Sequence, residues 1–306
     1  MTDPRRTLFL TMAVFALEPL PFGAWLALIP YVKEMLGLDK AQLAIALLGM
    51  PVAIVPTLSI ASRLVVRFGP RRLLMVAFPA QAVAVFLPLL AQSQIALFFA
   101  LGALGICVAF LQVGLNVYAS RFEKETGRIV MSRCHGFWAL GVMIGSLLIA
   151  WFGGWSALWG MACVTIPATV VGIWCAWVLP RLGAEANTTP PPRRKLRALP
   201  PALFMIAIYA LATSMTEGAM ADWAAVYLAE RLPEGSTRAA LAVSIFSGFL
   251  ALGRFLGDAA NVRFGVVRLA RGAVSLAIVG LLFLTLPLPL VFAYVGFALV
   301  GLGASV

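Results

Sequence analysis

Arg67-Phe68-Gly69-Pro70-Arg71-Arg72 returns 196 residues later as Arg263-Phe264-Gly265-Val266-Val267-Arg268. Both copies interrupt long apolar runs. Ala41 to Ser62 before the first copy holds no Asp, Glu, Lys or Arg, nor do Leu73 to Ser120 after it and Gly272 to Val306 after the second. A helix needs about 20 apolar residues to cross the hydrocarbon core of a bilayer. Each copy therefore reads as a basic turn between two membrane spans. Other features keep almost the same register: Trp25 and Trp223 are 198 residues apart, and Glu18 and Glu217 are 199 apart. The chain reads as two halves that enter the membrane in the same orientation.

Composition agrees. The 306 residues are 62% hydrophobic and 11% charged, with a mean hydropathy of +0.99. A soluble domain holds about 45–50% apolar and about 25% charged residues, so an all-α integral membrane protein is expected. Weakly alternating segments of about ten residues, the mark of a transmembrane β-barrel, do not occur. The net charge of +11 would suggest nucleic acid in a soluble protein. Here the basic residues crowd the short loops, which is the positive-inside pattern, so no nucleic-acid partner is expected. Cys107, Cys134, Cys163 and Cys175 lie in or beside apolar runs without C-x-x-C spacing, and read as small buried hydrophobes. Arg5 and Arg6 before an apolar run loosely resemble a signal peptide. Glu18 and two prolines interrupt that run, so it is taken as the first span.

Ten spans are expected: residues 8–32, 41–66, 73–91, 95–120, 130–152, 155–179, 202–229, 239–260, 272–286 and 290–306. A charged loop is expected over Arg121 to Arg128. Residues 181–200, with Pro190-Pro191-Pro192-Arg193-Arg194-Lys195, read as an extended linker. All of the 23 Lys and Arg except Lys33, Lys40, Arg231 and Arg238 fall on the side of the N-terminus. That bias predicts the N-terminus and the linker inside the cytoplasmic membrane.

Arg67-Phe68-Gly69-Pro70-Arg71-Arg72 resembles the end of the signature loop of the major facilitator superfamily. Phe22-Gly23-Ala24-Trp25 with Ile29-Pro30, the Asn116 to Arg128 stretch, and Glu217-Gly218-Ala219-Met220-Ala221-Asp222-Trp223 are similar to its fucose-permease-like branch. Parallel six-span repeats are this superfamily's organisation. The resemblance implies an N-terminal six-helix bundle over 1–180, the linker over 181–200, and an incomplete, four-helix C-terminal bundle over 201–306. The superfamily has twelve spans, so the chain is expected to be part of a longer protein rather than a truncated relative. The signature's leading glycine and aspartate would fall at Ser62 and Val66, which implies a weaker first-half gate. Relatives of the branch often carry an arginine where this chain has Leu28.

Charges in mid-bilayer cost at least a few kcal/mol and mark solute or proton pathways. Glu217 and Asp222 lie within an otherwise apolar span. Five residues at about 100° each set them about 140° apart on a regular helix, unless it unwinds at Gly218. Glu217 reads as a proton or substrate carboxylate, or alternatively as a buried carboxyl bonded between helices. Glu18, beside Pro19 and Pro21, reads as a third pathway acid or as a group that satisfies loosened backbone. Gln112 and Asn116 share a helix face and suit either solute binding or helix–helix bonding. Trp25 and Trp223 suit stacking on a solute, or interface anchoring.

For the cytoplasmic gate, the resemblance implies Arg67, Gly69, Arg71 and Arg72 in the first half. In the second it implies Gly253, Arg254, Gly257, Asp258, Arg263 and Gly265. Arg254 and Asp258, four residues apart, can pair on one helix face, as a gate latch by the resemblance or as a plain helix-end ion pair. His135, the sole histidine, reads as a satisfied polar residue. No H-E-x-x-H, G-x-S-x-G or cysteine–histidine pairing is present, so no enzyme activity, cofactor or metal is expected. The expected function is monomeric secondary transport of a small polar, sugar-like solute, coupled to protons, with membrane lipid as surroundings. Amphiphile efflux and a non-transporting sensor or assembly subunit are the alternatives.

Overall fold

The computed structural model describes residues 3–152, 156–182, 201–233 and 237–305. Among these residues the chain is all helix and turn: α1 (Pro4–Leu17), α2 (Leu20–Met35), α3 (Lys40–Leu47), α4 (Gly49–Phe68), α5 (Pro70–Ala84), α6 (Gln94–Thr126), α7 (Met131–Trp151), α8 (Ala157–Val178), α9 (Pro201–Ala229), α10 (Ala240–Phe264), α11 (Val266–Thr285) and α12 (Leu290–Gly303). Nine stretches among them are long and apolar enough to cross a membrane, with α1–α2 and α3–α4 each forming one. The tenth expected span is α12, whose 14 residues fall short of the usual ~20. Apart from Arg181 and Leu182, the expected linker lies outside the described residues.

Helix ends follow the sequence. Asp39 and Gln42 form a reciprocal capping box, while Ser93 and Ser156 cap α6 and α8. The Arg121–Arg128 loop is a correction. α6 continues to Thr126 because Arg, Glu and Lys are good helix formers. It stops at Gly127, whose φ of 67° is left-handed. Glu123 then accepts hydrogen bonds from the Val130 and Met131 N–H groups at 2.6 and 2.9 Å, closing the start of α7.

The basic loops after the second and eighth spans also shrink, to one glycine each. Gly69 (φ 82°, ψ 155°) ends α4 and starts α5; Gly265 (φ 78°, ψ 153°) ends α10 and starts α11. Arg67 lies over the Phe68 ring at 5.2 Å and Arg263 over Phe264 at 5.3 Å. The sequence repeat is thus a backbone repeat. Arg71, Arg72, Arg268 and Arg271 belong to the following helices rather than to loops.

Lipid gives apolar helices little reason to associate, so close packing through small residues must hold them. A Cβ on Gly141 would overlap the Ala16 carbonyl, one on Gly145 the Leu20 carbonyl, and one on Gly23 the Val142 carbonyl. These contacts press α7 onto the junction of α1 and α2. α7 also runs along α10, linking the two halves. One core holds Leu38, Leu43, Trp25, Leu228, Phe246 and Leu284, and joins both halves at the end marked by Lys40. The other, with Phe15, Phe78, Tyr118 and Phe122, belongs to the first half alone, toward the Arg71 end. Val52, Val55, Phe99 and Trp151 face outward, as a lipid-facing surface requires.

Candidate functional site

Pro19 and Pro21 lack N–H groups, so the carbonyls of Phe15 and Leu17 lose their usual i+4 donors. The chain breaks there between α1 and α2, and Glu18 sits in the break. The residue is 1% exposed. Because Gly141 and Gly145 bring α7 against this junction, Trp138, less than one turn before Gly141, reaches the carboxyl. Its indole Nε1 donates to Glu18 Oε2 at 2.9 Å. From α5, Gln81 Nε2 donates to Glu18 Oε1 at 3.3 Å. Three helical elements thus converge on one acid, and both partners are neutral donors. Neither Gln81 nor Trp138 was singled out from sequence. Gln81 carried a usable signal, as a polar residue deep in the charge-free stretch Leu73 to Ser120.

Glu217 has different company. Arg254 Nη2 donates to its Oε1 at 2.6 Å, with the two side chains 15% and 29% exposed. Arg254 also spans the two halves: Nη1 donates to the His135 carbonyl at 3.5 Å, and the Arg254 carbonyl accepts from Ser132 Oγ at 3.0 Å. The expected pairing with Asp258 is therefore corrected. Asp258 is exposed, and the half-buried carboxylate of Glu217 takes the guanidinium instead. α9 is continuous through Gly218, so Glu217 and the half-buried Asp222 remain on different faces. His135 sets its ring edge-on to Phe15 at 5.9 Å.

Asn116 Nδ2 donates to the Gln112 backbone carbonyl at 2.8 Å and lies 3.5 Å from its side-chain oxygen, so the pair acts as one polar patch on α6. Trp25 is 1% exposed within the shared core; here it is packing, with no face open for stacking. Trp223 is half-buried against the same core. Ser146 and Ser244, which the sequence pattern does not mark, hydrogen-bond across the two halves at 2.7 Å. At the Arg71 end, Arg71 Nε donates to the Ala176 carbonyl at 3.2 Å, and its Nη2 to the Trp177 carbonyl. Arg72 is exposed. Gly253 sits tight against Ser305 at the end of α12, while Gly257 has open space around it. No group of three or more metal-ligating side chains occurs among the described residues.

A family model described as Major Facilitator Superfamily matches residues 7–306. The chain belongs to the major facilitator superfamily. An uncharacterized transporter of Sinorhizobium fredii, y4wD, is 30% identical over 305 residues, covering 95% of this chain and 77% of that protein. An uncharacterized MFS-type transporter of Yersinia pestis is 28% identical over 303 residues, covering 96% and 76%. Among solved structures, the nucleoside transporter NupG superposes with a TM-score of 0.69 at 14% identity, over 100% of this chain and 79% of that one. A bacterial homologue of the human lysosomal transporter Spinster, inward-facing and occupied, gives 0.62 at 15% identity, over 100% and 73%. These likenesses show the major facilitator fold. Val66, where the resemblance places the signature loop's aspartate, is 77% exposed.

Proposed function

We propose that this superfamily member is a proton-coupled secondary transporter of a small polar solute in the cytoplasmic membrane, with its N-terminus inside. The observation that carries the coupling is Glu18, buried in the α1–α2 break and held, among the described residues, by Trp138 and Gln81. A buried intramembrane acid with neutral donors can take or lose a proton without breaking an ion pair, as a relay group must. Glu217, paired with Arg254, serves instead to tie α9 to α10 next to α7. Asp222, Trp223 and the amide groups of Gln112 and Asn116 supply solute contacts. Sugar-like solutes are the first choice, through the resemblance to the fucose-permease-like branch, and nucleosides join them because they carry a sugar ring.

The shared core at the Lys40 end, with the first-half core alone at the Arg71 end, supports an inward-facing state if the arginine-rich end is cytoplasmic. The two half-bundles would rock about the α7–α10 contact.

The test is solute-dependent proton movement in proteoliposomes holding the natural gene product, screened over sugars, nucleosides, organic acids and cationic dyes. The expected result is a solute that drives proton flux in the parent but only uncoupled exchange in Glu18→Gln. Coupled flux that survives Glu18→Gln and stops in Glu217→Gln would move the proton site to α9. Dye transport alone would favour amphiphile efflux. Silence across the panel from folded protein would overturn the transport reading.

A further inference from the structure

Arg71, Arg72, Arg121 and Arg181 come together with Tyr118 and Trp177 around a cleft of about 430 Å³ at the Arg71 end of the first-half bundle. That volume lies within the range of small-molecule sites, about 300–1,000 Å³. Four arginines on a cytoplasmic face would ordinarily be solvated positive-inside charges. Three details set these apart.

First, Arg121 Nε is buried and has no hydrogen-bond partner among the described residues, a donor whose desolvation is uncompensated. Second, Arg71 is fixed rather than free. Two of its donors bond the Ala176 and Trp177 carbonyls at the end of α8. A guanidinium has five donors, so three remain for the cleft in a preset orientation. Tyr118 similarly holds the Pro180 carbonyl at 3.0 Å, which positions the neighbouring Arg181. Third, no Asp or Glu is among the described residues lining the cleft. The turn itself does not demand this charge, because the repeat copy carries Val267 where the first carries Arg71.

We propose that this cleft binds a phosphate group. Planar guanidinium forks match phosphate oxygens, and basic pockets between spans suit anionic headgroups. Trp177, 60% exposed beside the cleft, places its mouth at the lipid-facing surface of α8. A phospholipid headgroup and a free phosphate share the chemistry, and the experiment separates them.

Short-chain phosphatidic acid, inorganic phosphate and short-chain diacylglycerol are titrated against the purified protein in detergent, with binding read by native mass spectrometry and melting temperature. Saturable binding of phosphatidic acid is expected, weakened by at least about tenfold in Arg121→Gln and in the surface variant Arg72→Gln. Arg271→Gln, which removes the same charge from α11, leaves it unchanged. Comparable saturable binding of inorganic phosphate would assign the site to a soluble phosphate; its absence would assign it to lipid. Binding of neither phosphate compound, equal binding of diacylglycerol, or equal losses in all three variants would overturn the proposal.

Discussion

Arg254 on α10 holds the Glu217 carboxylate of α9 at 2.6 Å while its backbone and second amino group bond α7. One residue thus ties two helices of the second half to one of the first. With the side chains 15% and 29% exposed, solvent screens part of the attraction, so the pair is worth about 1–2 kcal/mol rather than the full value of a buried charge pair. Arg254→Gln and Glu217→Gln should each lower the melting temperature, and the double variant should lose about 1 kcal/mol less than their sum. Asp258→Asn should stay within about 0.5 kcal/mol. Strict additivity of the first two would remove the pair from the account.

Trp138→Phe keeps the aromatic body beside Glu18 and removes the single N–H that reaches Oε2. Gln81→Leu does the same for Oε1. Both variants should retain the fold and shift the midpoint of the pH profile of solute transport, because each changes the partners of one protonation state. Glu18→Gln should flatten the profile, with its new amide accommodated when Gln81 turns its own oxygen inward. An unchanged profile in all three would place the coupling proton elsewhere.

The all-α membrane class was legible because length and charge decide it: apolar runs of bilayer length are separated by short basic turns. The superfamily itself rested on the resemblance of the Arg67–Arg72 loop to a known signature. Partners across the bundle were harder. Glu18 was visible as an intramembrane acid, but Trp138 lies 120 residues away and reads as an ordinary apolar residue. Only the approach of α7 at Gly141 and Gly145 brings it into range. An i,i+4 rule sees one helix and pairs Arg254 with Asp258, whereas the structure offers it the half-buried carboxylate of Glu217 on another. Trp25 drew attention as an aromatic near an acid, yet its ring is consumed by the shared core. Exposure and partner choice both arise from packing between segments distant in sequence.

Gly141→Ala would drive a methyl into the Ala16 carbonyl, a backbone group that cannot rotate away. α7 would have to withdraw from the α1–α2 break, at a cost of about 1–3 kcal/mol, and carry Trp138 away from Glu18. Gly218→Ala is the control. Nothing lies within 4 Å of a Cβ there, and the site is mid-helix, so alanine should raise helix stability by up to about 1 kcal/mol. Melting temperatures in one detergent should therefore move in opposite directions. Movement of both in the same direction would contradict the close approach.

Gly69 and Gly265 hold φ of 82° and 78° with ψ near 155°, a region that is essentially restricted to glycine. At neither would an added Cβ meet any atom within 4 Å, so an alanine there would suffer from backbone strain alone. Gly69→Ala and Gly265→Ala should each cost about 1–3 kcal/mol, and by similar amounts, since the dihedrals agree within a few degrees. Their effects should add in the double variant, because the two turns belong to separate halves. Equal, additive losses of stability would show the repeat operating in energy as it does in backbone shape. A loss at Gly69 without one at Gly265 would mean that the second turn relaxes into another conformation when strained, and that the two copies are alike only in form.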